Sequence, residues 1–212
     1  MRLIQVLCCC TLAAACENGA KSNLASGDAA TPAVTNRNAV APSAAVDLSQ
    51  TIVAKDGALD DGKILMVLHV ANQGEIEQAQ LAQKRGTDKR ALDFAKMMLK
   101  DHADADQKGD KVAKDENITP AESAVTTQLQ SDGKQTMDKL QAVTAADFDK
   151  AYIDAQVKGH HDVLGLLRDK LRPAATDPKL RSLIDAVTPT VQHHYDEAMK
   201  LQSTAGKTAV PK

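Results

Sequence analysis

The chain has 212 residues, with 26 Lys and Arg against 28 Asp and Glu, a net charge of −2, two Phe, two Tyr and no Trp. A near-neutral balance leaves no electrostatic footprint for a phosphate backbone, and so few rings leave no stacking platform for bases or sugars. Nucleic acid is thereby excluded as an expected partner.

The first residues read as an export signal. Arg2 supplies a positive charge, residues 3–12 are largely apolar but too few to span a bilayer, and Ala13-Ala14-Ala15 precede Cys16. A cysteine directly after small residues resembles the bacterial lipoprotein signal, in which residues 1–15 are removed and Cys16 carries the lipid. The alternative is an ordinary secretory signal that ends at a cysteine. Glu17 follows, in place of the Asp that retains such proteins in the inner membrane. The expectation is a bacterial envelope protein, lipid-anchored at Cys16 to the outer membrane and facing the periplasm. Cys8, Cys9 and Cys10 lie in the discarded segment, so the mature domain has neither a disulfide nor a thiolate metal ligand. Residues 17–57 are rich in Ala, Ser, Thr, Asn and Asp and carry no aromatic residue. Such a stretch cannot bury enough apolar surface to offset its ordering entropy and reads as a flexible tether. As a random coil it would span on the order of 35 Å.

From residue 58 to 204 the pattern is helical. The first helix is expected over 61–85, stopped by Gly86, with Thr87 capping a second over 88–114. Thr119-Pro120-Ala121-Glu122 reads as a capping box that opens a third helix at Pro120, fading near residue 143. Thr144 and Asp147 open a fourth that ends at Arg172-Pro173, and Asp177-Pro178 open a fifth that lasts to about residue 203, bent at Pro189. Residues 205–212 are expected to be a disordered tail. No strand-like alternation is present, and long helices joined by short turns favour an antiparallel bundle.

Each of the four long helices has one apolar face, and each face is interrupted once by a metal-competent side chain. The interruptions are Glu75, His102, His160 and His194, in steps of three or four with their apolar neighbours. At about 1.5 Å per residue, with the third helix as a crossover, all four fall within a band about 8 Å deep near mid-bundle. His161 and His193 fall on the solvated face.

A set of motifs runs along these helices: Asn72-x-x-Glu75-Ile76 and Asp101-His102, then Phe148-Asp149-x-Ala151-Tyr152, Gln156-Val157 and His160, and finally Thr188-Pro189-Thr190 before His194. On these motifs the stretch from about 57 to 201 resembles the ferritin-like bacterial family "domain of unknown function 4142". It implies an all-α fold: a ferritin-like antiparallel four-helix bundle with an extra crossover helix between the second and third long helices. The family is typically exported and its biochemical role is largely unassigned, so the likeness implies a fold more than an activity.

The chain departs from the di-iron pattern, which needs Glu-x-x-His on two helices. Leu99, Val157 and Val191 stand three residues before the three histidines. One carboxylate and three imidazoles suit a single divalent ion, zinc or copper, and Met98, one turn from His102, would add a soft ligand that favours copper. A buried polar layer can equally serve only to fix the register of a bundle. Three functions remain open: a binding protein of the envelope, a ferritin-like metal-dependent oxidase or ferroxidase, and a structural or stress-related module with no ligand. No nucleophile–base set, phosphate loop or paired core carboxylates are present, so no catalytic residue is assigned.

Overall fold

The computed structural model describes residues 58–205; the signal at 1–15, Cys16, the tether and the tail beyond 205 lie outside the described residues. Five long helices form and, among the described residues, no strand. They are α1 (Asp61–Arg85), α2 (Lys89–Asp115), α3 (Ala124–Ala142), α4 (Phe148–Leu166, extended by a π turn Leu167–Leu171 and a last turn Arg172–Ala174) and α5 (Pro178–Ala205). The all-α expectation holds.

Local chemistry sets the boundaries, and three differ from expectation. Asp60 caps α1, accepting the Lys63 N–H at 2.9 Å. Gly86 ends it, because a Cβ there would lie 2.7 Å from the Ala82 carbonyl and 2.9 Å from Asp149 Oδ1. The cap of α2 is Asp88, which accepts the Arg90 N–H at 2.8 Å, not Thr87. Thr87 is already engaged, donating its N–H and its hydroxyl to Asp149. Helix α3 starts four residues later than Pro120, with Ser123 and Thr126 forming the capping box. Residues 119–122 are drawn away from helix by contact with α1, where the Ala121 N–H donates to the Gly62 carbonyl at 3.1 Å. Finally, α4 runs one residue past the expected end at Arg172-Pro173, to Ala174. The π turn lets the Arg172 N–H bond the Leu167 carbonyl five residues back, which widens the helix where a proline ring would otherwise strike the Asp169 carbonyl. Pro189 sits inside α5, where the helix continues unbroken from Pro178 to Ala205.

Polar ties fix which ends meet. Asp149, in the first turn of α4, clamps the α1–α2 turn through Thr87 and Asp88. Asp61, in the first turn of α1, clamps the α4–α5 turn through Thr176 and Asp177. The two turns therefore lie at opposite ends of α1. Helix α3 spans the same distance: its lead-in touches Gly62, and its last turn lies under Arg85, which donates to the carbonyls of Leu140, Gln141 and Val143. The Arg85 guanidinium also covers the Phe148 ring, 4.7 Å from its centroid.

The core divides into two apolar clusters. One contains Ile64, Leu65, Val67, Leu164, Leu167, Leu180 and Ile184; the other contains Ala79, Ala95, Met98, Phe94, Phe148, Tyr152 and Ala198. Along α1, α4 and α5 the chain passes from one cluster to the other through buried polar residues: Glu75 and Gln78, then Gln156 and His160, then His194. On α2 the corresponding residue is His102. The helices thus enclose one polar layer between two apolar ends. Outside, Lys–Asp pairs four residues apart lace the helix surfaces, where solvent screening leaves each worth little.

Candidate metal centre

Three histidines from three helices converge in that layer. The rings of His102 on α2, His160 on α4 and His194 on α5 lie with centroids 5.7, 5.2 and 5.5 Å apart. They are 6%, 1% and 1% exposed. One ring nitrogen from each lies within 4.8 Å of the other two. A tetrahedral ion with metal–nitrogen bonds of about 2.0–2.1 Å would draw these nitrogens to about 3.4 Å apart, a small contraction for side chains.

The second nitrogen of each ring is held by an acceptor. His102 Nδ1 donates to Asn72 Oδ1 at 2.9 Å, His160 Nδ1 to the Gln156 carbonyl at 3.0 Å, and His194 Nε2 to Asp101 Oδ2 at 3.1 Å. A carbonyl and a carboxylate can only accept, so the proton sits on the outer nitrogen and the inner nitrogen keeps a lone pair. His102 Nε2, His160 Nε2 and His194 Nδ1 are buried with no hydrogen-bond partner. Buried polar atoms almost always find partners, and three acceptors turned inward with no donor carry an uncompensated desolvation cost. A bound cation would supply what they lack. Outer hydrogen bonds of this kind are the devices that orient imidazole ligands and raise their basicity.

The protonation states agree with that chemistry. Burial pushes the His102 imidazole well below its usual range, reinforced by His160 and His194. Burial also lowers His160 to about 4, against the Gln156 hydrogen bond. His194 is lowered too, its burial outweighing the Asp101 bond. All three are neutral at pH 7, the form that ligates metals. Burial pushes the Asp101 carboxyl up, but hydrogen bonds from His194 and Lys100 outweigh it and the net shift is down.

Glu75 lines the same cavity as the three histidines but is not among the nitrogen set within 4.8 Å. Burial raises its carboxyl to about 7, opposed by a hydrogen bond from the Gln156 amide and, more weakly, by the nearby His194 ring. Its Oε2 has no hydrogen-bond partner. Gly159 leaves room beside the carboxylate: a Cβ there would lie 3.2 Å from Glu75 Oε1 and press on it. Next to it, the Gln156 amide donates to Gln78 Oε1 at 3.1 Å. The buried Tyr152 hydroxyl is unpartnered, and burial together with the nearby Glu75 charge raises its pKa.

The structure brings together His102, His160 and His194, with Glu75 beside them. Met98 is fully buried but packs in the aromatic-bearing apolar cluster and does not line the cavity. His161 and His193 are exposed, as their helical angle requires. The residues that reading by helical face left without roles are Asn72, Asp101, Gln156 and Gly159. The signal was present for all four: each lies within four residues of a layer residue. Only the packed helices reveal that Asp101 serves His194 and not its neighbour His102.

Comparison with protein-family models matches residues 47–201 to Domain of unknown function (DUF4142). The chain belongs to this family. No curated protein and no solved structure matches it. Membership of DUF4142 assigns no activity, so the chemistry of the triad carries the functional argument alone.

Proposed function

We propose that this protein is an envelope-anchored helical bundle that binds one divalent transition-metal ion through His102, His160 and His194. The observation that carries the reading is the set of three neutral imidazoles, each fixed by an outer acceptor, whose inner nitrogens have no partner. Zinc and copper suit three imidazoles with an open fourth position. With Met98 turned to the apolar cluster and no cysteine ligand, the site lacks the soft donors that select copper(I). Glu75 lines the same cavity and would balance charge there or hold a metal-bound water.

The same reading extends to fold and location. A ferritin-like bundle with a crossover helix is supported by the pairing of α1 with α2 and of α4 with α5, with α3 running along α1 between the two pairs. Anchoring is supported by Ala13-Ala14-Ala15-Cys16, and among the described residues no helix is long and apolar enough to cross a membrane. Binding without turnover accounts for a single carboxylate better than the oxidase alternative, whose di-iron chemistry requires more.

The test is elemental analysis of protein purified without chelator or affinity histidines. It should carry close to one equivalent of zinc or copper, lost in His160→Ala and His194→Ala. Metal-free protein that takes up no ion on titration would end the reading. In parallel, Cys16→Ala should release the protein from the membrane fraction.

A further inference from the structure

The triad does not fill the space it faces. A cavity of about 160 Å³ lies beside it, with His102, His160, His194 and Glu75 among its lining. Its remaining walls are largely aliphatic, formed by Leu68, Val163, Leu167, Leu183, Val187 and Val191. Two helices place alanine in the wall, Ala71 on α1 and Ala105 on α2, where a larger side chain would take up part of the volume. Asp104, Lys108 and Ala186 are the exposed residues of the lining, so the mouth opens between α2 and α5, beside the Lys108–Asp104 ion pair of 2.7 Å.

Size and chemistry restrict the occupant. An apolar cavity of about 150 Å³ is known to hold one benzene ring. A charged body among six aliphatic side chains would lose its hydration without replacement. Apart from the ion pair at the mouth, the polar end of the cavity is the one that carries the three unpartnered nitrogens.

We infer that this cavity binds a small uncharged molecule with a single five- or six-membered ring, the ring among the aliphatic walls and one nitrogen or oxygen donor completing the coordination of the ion. The inference rests on the metal reading above for its donor contact, while its apolar half stands on the cavity itself. The ligand class comprises azoles, pyridines and phenols. Bodies larger than one ring exceed the volume of about 160 Å³, and multiply charged acids meet the aliphatic walls.

The experiment uses the bundle loaded with cobalt(II), whose visible bands report the fourth ligand, and pyrazole as probe. Pyrazole should shift the bands. Ala71→Leu and Ala105→Leu, which fill the cavity from different helices, should retain one equivalent of cobalt and weaken pyrazole at least tenfold. Equal pyrazole affinity in the wild type and in both cobalt-loaded variants would overturn the inference, leaving an ordinary solvent-facing coordination position. If the wild type takes up no cobalt, the metal reading fails. The cavity is then judged on metal-free protein: benzene should raise the melting temperature of the wild type and not of Ala71→Leu. No benzene shift there would overturn the cavity assignment as well.

Discussion

Two histidine clusters lie against α1, less than two turns apart, and they solve the same problem in opposite ways. In the first, Asp106 on α2 receives His69 Nδ1 at 2.9 Å on one oxygen and the Gln73 amide at 2.7 Å on the other. The carboxylate has a donor for each oxygen, and His69 keeps 47% of its side chain in water. In the second, each of three imidazoles satisfies one nitrogen and leaves the other buried and bare. The first cluster is complete as it stands. The second is complete only with an additional positive or donating group at its centre. What separates polar packing from a ligand site is therefore the matching of donors to acceptors, not the presence of histidine.

The largest test of that contrast is metal-linked stability. Free ion at about a thousand times its dissociation constant should stabilise the bundle by about 4 kcal/mol through mass action. His160→Ala and His194→Ala should remove the gain, whereas His69→Ala should preserve it. Thermal melts with and without added zinc decide the matter. An unmoved wild-type melting temperature, or equal loss in His69→Ala, would erase the distinction. A drop in the metal-free stability of a triad variant is not diagnostic, since removing one member of any buried polar group is costly.

A somewhat smaller effect should appear in the pH dependence of the metal-free protein. His160 falls from 6.5 to about 4 on folding, so the native state resists its protonation. Its contribution is complete above pH 6.5 and is lost as pH falls toward 4, on the order of 3 kcal/mol. Glu75 runs the other way, rising from 4.5 to about 7. Its contribution is complete below pH 4.5 and is lost as pH rises through 7, by a similar amount. Urea titrations in chelator between pH 4 and 8 should thus show Glu75→Gln gaining stability over wild type on the alkaline side while keeping the acid loss. Parallel curves for the two proteins would mean that Glu75 is better solvated than its position indicates.

Much of this architecture was legible in the sequence because helical periodicity is a local signal. Asp61 and Gly86 bound α1 as expected, and the step of three or four residues placed Glu75, His102, His160 and His194 at one level. The failures occur where a distant group outbids a local one. Thr87 would cap α2 were it not taken by Asp149, sixty-two residues on. Thr119 to Glu122 would open α3 were they not held against Gly62. In the site, Met98 shares the face of His102, yet a single turn carries it into the aromatic-bearing cluster. Periodicity gives the angle around a helix and the level along it, while the partner across the interface depends on packing.

The smallest test concerns Gly159, and it separates the demands of the site from those of the helix that carries it. Helix α4 contains two glycines, Gly159 and Gly165. A methyl group at Gly165 would meet nothing within 4 Å, and one at Gly159 would lie 3.2 Å from Glu75 Oε1. Glycine inside a helix costs roughly 0.5–1 kcal/mol relative to alanine, so Gly165→Ala should stabilise by about that amount. Gly159→Ala receives the same backbone benefit but must displace a buried carboxylate, and it should fall short of Gly165→Ala by about 1 kcal/mol. The deficit should vanish when Glu75 is truncated to alanine, a coupling of at least about 0.5 kcal/mol in the double-mutant cycle. Denaturant midpoints of the four proteins measure it directly. If Gly159→Ala stabilises as much as Gly165→Ala, Glu75 has room to move, and the absence of a side chain at 159 is not what sets the carboxylate beside the triad.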